Sequence, residues 1–255
     1  MTVSASYQAT LCSALLGLVF LFLVFTTPDA WSKEWPLNER PMYGGAEKTA
    51  EMKEVDQRYI EGVKAMGFTL KQGAVEAAKR GWTAMRQGDL KTAMKRFNQA
   101  WLLDKNNGAA YWGMAAVVAD RDHDMEQAGS LFKRALKLLP NDADLHVDYG
   151  RFLGKRRWFE QMQGNKQKAV ELLKNSTESF RKALELNAEA RDAHAGLATN
   201  LMVTGDLNGA YHHAKIAIER KETDSFNMLP IIKCMMDKGI TDMRDPRWRV
   251  CAAGR

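Results

Sequence analysis

The chain has 255 residues, 45% of them apolar, enough to bury a substantial core in one elongated domain. Its formal net charge of +6 arises from lysines and arginines mixed with acids, a balance that suits an acidic partner and equally suits the charged outer faces of helices. No alternating strand pattern stands between turn signals, which excludes a sheet-based fold and predicts an almost entirely helical one.

Residues 11–25 carry no charge, and Asp29 is the first charged side chain. An apolar run of this length has the form of a secretory signal core, whereas a membrane-spanning helix usually needs about 20 residues. Residues 1–30 are therefore expected to be a signal peptide or an N-terminal membrane anchor. A cut after Ala30 would place Pro28 where a small residue is wanted, and residues 2–10 lack lysine and arginine, so the anchor and a start assigned too far upstream both stay open. The signal and the anchor predict a protein that is exported, periplasmic or held in the cell membrane facing outside the cytoplasm; an anchor with its repeats inside is the remaining variant.

Residues 31–47 contain Trp35, Pro36, Pro41, Gly44 and Gly45, a composition that punctuates helices and predicts a linker. Trp31, Trp35 and Tyr43 are placed to touch a lipid interface or to dock on the first helix. In residues 48–73 an N-terminal capping helix is expected. Thr49 offers a cap, Glu51 and Glu54 favour the positive end, and Met52, Val55, Tyr59, Val63 and Met66 form one apolar stripe for packing on the element that follows.

Between residues 74 and 223 one pattern recurs. Gly81-Trp82, Gly88-Asp89, Ala93, Phe97 and Ala100 return as Trp112, His123-Asp124, Ala128, Phe132, Ala135 and Pro140, with the last alanine shifted by 35 residues. Gly205-Asp206, Ala210, Ala214 and Ala217 close the series, 34 residues after the copy that holds Phe180 and Ala183. This spacing and these small and aromatic positions resemble the tetratricopeptide repeat (TPR) family, here of a bacterial envelope type. The resemblance implies an all-α, right-handed helical-hairpin solenoid of about four repeats with N- and C-terminal capping helices. It also implies a non-enzymatic scaffold that binds a partner protein.

Steric logic supports the pattern. Antiparallel helices approach closely where small residues meet, so Gly81, Ala116, Gly150 and Ala198 are expected to face the first alanine of each second helix. Ser176 replaces that alanine in the third copy, Ala214 replaces the phenylalanine in the fourth, and only the second copy ends in proline. The third copy exceeds the period by about 14 residues, best accommodated as two helices over residues 143–163 and 165–186, each lengthened by two turns. Its tip carries Arg156, Arg157, Trp158, Lys166 and Lys168 beside Lys155 and Phe159, a candidate membrane-facing hairpin and the basis of an alternative role as a membrane-surface adaptor.

A C-terminal capping helix is expected within residues 224–240, followed by a poorly ordered tail, 241–255. Cys234 and Cys251 lie 17 residues apart and can pair in an oxidising compartment, a point the sequence leaves open. No nucleophile elbow, zinc-protease helix, phosphate loop, dinucleotide fingerprint or CxxC pair occurs, so no catalytic residue, cofactor or metal is expected. His146 and His194 take the repeat position of Trp112, which predicts packing, and the adjacent His212 and His213 point about 100° apart.

Projection of the first helix of each copy onto the concave face selects Trp82, Met85, Arg86, Val117, Arg121, Val147, Arg151, Lys155 and Met202 as a partner-binding groove with an apolar floor and a row of cations. Such a groove suits a peptide or helix with apolar anchors and an acidic group. Ala78 and Trp82 stand where the carboxylate-clamping members of the family use lysine and asparagine, so that clamp does not transfer. A repeated polar set for reading bases is lacking, and no nucleic-acid partner is expected.

Overall fold

Four helix pairs stack in chain order, each closed by a short turn whose chemistry is visible in the residues. In the computed structural model, which describes residues 35–222, 228–240 and 245–253, the pairs are α2 (Leu70–Arg86) with α3 (Leu90–Leu103), α4 (Gly108–Val117) with α5 (Met125–Leu138), α6 (Ala143–Met162) with α7 (Lys166–Leu186), and α8 (Ala193–Thr204) with α9 (Leu207–Glu219). They are preceded by α1 (Ala50–Ala65) and followed by α10 (Met228–Asp237) and α11 (Trp248–Ala253). The expected signal or anchor, residues 1–30, lies outside the described residues.

The turns work through caps. Asp89, Asp124 and Asp206 accept backbone N–H groups of Thr92, Gln127 and Gly209, each at 2.9 Å, which satisfies donors that the first helical turn leaves without partners. Gly88 and Gly205 close α2 and α8 with φ of +77° and +93°, a backbone region nearly free of penalty only for glycine. In the second pair α4 passes through a π-turn, Val118–Asp122, and the left-handed position falls on His123 instead.

Phe97 and Phe180 wedge the pairs together. A Cβ atom on Gly113 would lie 2.2 Å from the Phe97 ring and one on Gly81 2.6 Å from it; Gly196 and Gly150 would meet Phe180 at 2.3 and 2.9 Å. Each ring is thus gripped between its own first helix and the first helix of the next pair. Phe132 meets larger neighbours, Phe152 at 4.9 Å and Tyr149 at 5.7 Å between centroids. Ser176, which departs from alanine, is fully buried; it donates to the Gly150 carbonyl at 2.8 Å and accepts from Asn200 Nδ2 at 2.9 Å. Its hydroxyl replaces a packing contact by a hydrogen-bonded bridge from α6 to α8. The long third pair has the expected lengths to within a residue or two.

Residues 35–46, expected as a linker, lie instead as a strap along α3. Trp35 approaches Lys91, Glu39 pairs with Lys95 at 3.0 Å, and Tyr43 reaches Trp101 at 6.3 Å between centroids. Between them the fully buried Asn98 donates from Nδ2 to the carbonyls of Asn38 and Arg40, at 2.9 and 2.8 Å. Met42 and Tyr43 take left-handed conformations ahead of Gly44 and Gly45, a cost of order 1 kcal/mol or more per residue that surrounding contacts must offset. The prolines and glycines that argued for a linker here shape a bound segment.

Helix α1 packs less fully than its stripe predicts. Val63 is buried beside Ala74 and Leu103, with Tyr59 and Ile60 against them, whereas Met52, Val55 and Met66 are exposed. The first repeat also begins earlier than residue 74, because Thr69 and Gln72 form a reciprocal capping box that starts α2 at Leu70. At the other end α10 seals α9 with Ile231, Ile232 and Met235. The expected tail contains α11, whose buried Cys251 is joined to Cys234 by a disulfide with the Cα atoms 5.6 Å apart.

Candidate functional site

The first helices α2, α4 and α6 line a cleft of about 250 Å³ bounded by Trp82, Met85, Ala116, Asp120, Asp148, Arg151 and Lys155, with Phe132 and Phe152 at its base. Trp82 forms one wall because its ring rests edge-on against Phe97 at 5.3 Å and Trp112 at 4.8 Å. The wedge that spaces the helices therefore also positions the aromatic wall.

Of the residues projected onto this face, Trp82, Met85, Arg151 and Lys155 line the cleft, and Arg86 is exposed at the end of α2. Val117, Val147 and Met202, expected to line the groove, are instead buried in the core. Val117 belongs to α4, which is apolar around most of its circumference and enclosed on nearly every side; Ala116 and Asp120 take the cleft position in its place. Val147 packs with Phe180 and Leu197, and Met202 packs beneath the terminal cap. Arg121 also leaves the groove. Its guanidinium binds Asp122 at 2.7 Å and the Glu39 carbonyl at 2.9 Å and stacks over Trp35 at 4.2 Å. It is a clasp for the strap.

Arg151 and Lys155 are ties between repeats. Arg151 Nη2 lies 2.5 Å from Asp192 of α8's N-terminal end and Nη1 lies 3.7 Å from Asp148. Lys155 donates to the Ala119 carbonyl at 2.9 Å and reaches Asp120 at 3.4 Å. Asp148 accepts from Trp112 Nε1 at 3.0 Å. Burial raises the Asp148 pKa, opposed by Arg151 and by the Trp112 hydrogen bond. The cleft is thus an apolar pocket with a balanced polar rim rather than an open cationic row. Of the four cations projected onto the groove, Arg86, which donates to Thr83, is the one without a carboxylate partner among the described residues.

The candidate membrane-facing hairpin is similarly changed. Arg156 has a side chain only 14% exposed and bridges Glu126 and Glu160, and Lys168 holds Glu160 at 2.6 Å. Arg157 is half-buried, while Trp158 and Lys166 are exposed. The basic run is largely spent on holding the long pair to α5.

His194 and His213 approach with their Nδ1 atoms 2.7 Å apart, joining α8 to α9. Burial pushes the His194 pKa down to about 4, helped by His213, Arg220 and His212, and burial lowers that of His213 too. Among the described residues no group of three or more His, Cys, Asp or Glu is arranged to hold a metal ion, and no helix is long and apolar enough to cross a membrane.

No protein-family model and no curated protein matches the chain. Among solved structures, YrrB, described as a TPR protein with an unusual peptide-binding site, superposes with a TM-score of 0.50 at 18% identity, covering 76% of this chain and 90% of its own. PilF of Pseudomonas aeruginosa gives 0.40 at 15% identity over 72% and 89%. The Thermobaculum terrenum O-GlcNAc transferase gives 0.49 at 19% identity over 60% of this chain, which spans 27% of the transferase's length. The helical pairing and the likeness to YrrB define a TPR-type helical solenoid.

Proposed function

We propose that the chain is a non-enzymatic scaffold that holds a segment of a partner protein against the concave face formed by α2, α4 and α6. The observation that carries this reading is the cleft at Trp82, Met85, Asp120 and Arg151, an apolar pocket with few polar groups placed at its rim, as expected of a site that takes one large side chain as an anchor. The acidic character first expected of the partner rests only on Arg86, since Arg151 and Lys155 already have carboxylates.

The reading includes export. The apolar run 11–25 and the Cys234–Cys251 disulfide together support a compartment outside the reducing cytosol. Intact mass with membrane and soluble fractionation tests this: a soluble extracytoplasmic species lacking about 30 residues supports a signal, and a full-length species in the membrane supports an anchor. A reduced, full-length cytosolic species refutes export. The binding site is tested by placing a photo-reactive residue at Met85 in the full chain within its own cells. A protein adduct that disappears with Trp82→Ser supports the cleft, and adducts unaffected by that change remove it.

A further inference from the structure

Much of the buried seam between α8 and α9 is alanine: Ala195, Ala198, Ala210, Ala214 and Ala217. Each buries little apolar area. The helices on either side are tied outward. Arg151 binds Asp192, Asn200 donates to Ser176, and Gly196 lies against the Phe180 ring, all of which hold α8 to the third pair. On the other side α9 carries the terminal cap through Ile231, Ile232 and Met235.

The polar fastening across the seam is the contact of His194 Nδ1 with His213 Nδ1 at 2.7 Å. At that distance one nitrogen donates its proton and the other accepts with a lone pair. A first added proton can sit on the donating ring and keep the bond, at the cost of a charge within the seam. A second makes both Nδ1 atoms donors, and the two rings must part.

The surroundings oppose even the first. His212 and Arg220 of α9 act on His194, and His212 and Arg181 of α7 act on His213; Asp206 in the turn is the counter-charge beside His213. From α10 the seam receives Ile231, Ile232 and Met235, which carry no charge. Burial adds to the same effect on both rings. Glu222, just past α9 and near Asp192 and Arg220, accepts the Ala195 N–H at 2.9 Å, so this first-turn donor of α8 depends on the far side of the seam.

We propose that the α8–α9 joint is an acid-opened latch. Protonation of the His194–His213 pair parts the helices; α8 stays with the third pair, α9 leaves with the cap, and the apolar seam around Ala198, Ala214 and Ile232 meets solvent. The latch lies apart from the cleft and stands whether or not the cleft holds a partner.

Hydrogen exchange of the full chain tests it, read at the Ala195 amide and corrected for the intrinsic pH dependence of exchange. Rings released by opening regain their ordinary proton affinity, so opening should become at least about fivefold more frequent from about pH 6 to pH 5. Amides of α3 and α5 should keep their protection. His194→Gln and His213→Gln, each checked for parental helicity, should abolish the rise, whereas Glu222→Gln, which keeps an acceptor oxygen, should leave it. Absence of the rise overturns the latch. So does a rise that survives the histidine changes, one lost with Glu222→Gln, or an equal loss of protection in α3 and α5, which would mark global acid unfolding.

Discussion

Substitution of Gly113 by alanine tests whether the Phe97 wedge sets the spacing of the first helices. The new Cβ would lie 2.2 Å from Phe97 Cε1 and Cζ, against about 3.5–4.0 Å for an ordinary carbon contact, so ring or helix must move by more than 1 Å. The ring has little room to retreat, being fully buried and faced on its other side by Gly81 at 2.6 Å from that residue's virtual Cβ. Overpacking of this kind costs about 2–3 kcal/mol, and the gain from replacing a mid-helix glycine returns about 1 kcal/mol. The net loss is about 1–2 kcal/mol, or a Tm lower by roughly 2–8 °C for a chain of this size. Thermal unfolding by circular dichroism measures it, with Gly62→Ala as control, because a Cβ there meets nothing within 4 Å and should raise Tm slightly. Trp82 rests on the same ring, so the variant should also weaken the Met85 adduct. A Tm for Gly113→Ala equal to or above the parent would refute the wedge.

Asn98→Asp should loosen the strap by about 2 kcal/mol, since a carboxylate cannot donate to the carbonyls of Asn38 and Arg40; faster proteolysis within residues 36–46 reports it, and unchanged cleavage counts against the strap. Reducing the disulfide, or Cys251→Ser, should cost about 3 kcal/mol for a loop of this length, read as a fall in Tm. Persistence of the parent Tm under reductant would show that α11 is held without it. His194 has its pKa lowered from 6.5 to about 4, so the neutral pair's contribution is present above pH 6.5 and is lost as pH falls through the interval down to about 4. With the partial exposure of the rings discounted, the loss is about 1–2 kcal/mol. His194→Gln should flatten that part of the Tm-against-pH curve, and an unchanged curve rules the pair out as its source.

Periodic features were legible in the chain because they are local. The recurrence of Gly81, Ala93, Phe97 and their counterparts determined the helix pairs; Asp89, Asp124 and Asp206 determined where second helices begin; and the surplus length of the third copy determined that α6 and α7 are long. Helical geometry also placed Trp82, Met85, Arg151 and Lys155 on one face.

What the tertiary structure decided is which of those positions remains open. Val117 and Arg121 share the helical phase of the groove, yet Val117 is enclosed by neighbouring helices and Arg121 is claimed by Asp122 and the carbonyl of Glu39, 82 residues away. Likewise Arg156 and Lys168 read as a free basic patch until Glu126 and Glu160 arrive beside them. Periodicity gives an angle about one helix axis, whereas exposure and charge compensation depend on partners distant in sequence. The strap shows the same division most plainly: Pro36, Pro41 and Gly44 interrupt any regular α-helix, and partners distant in sequence, Asn98, Lys95 and Arg121, turn that path into part of the fold.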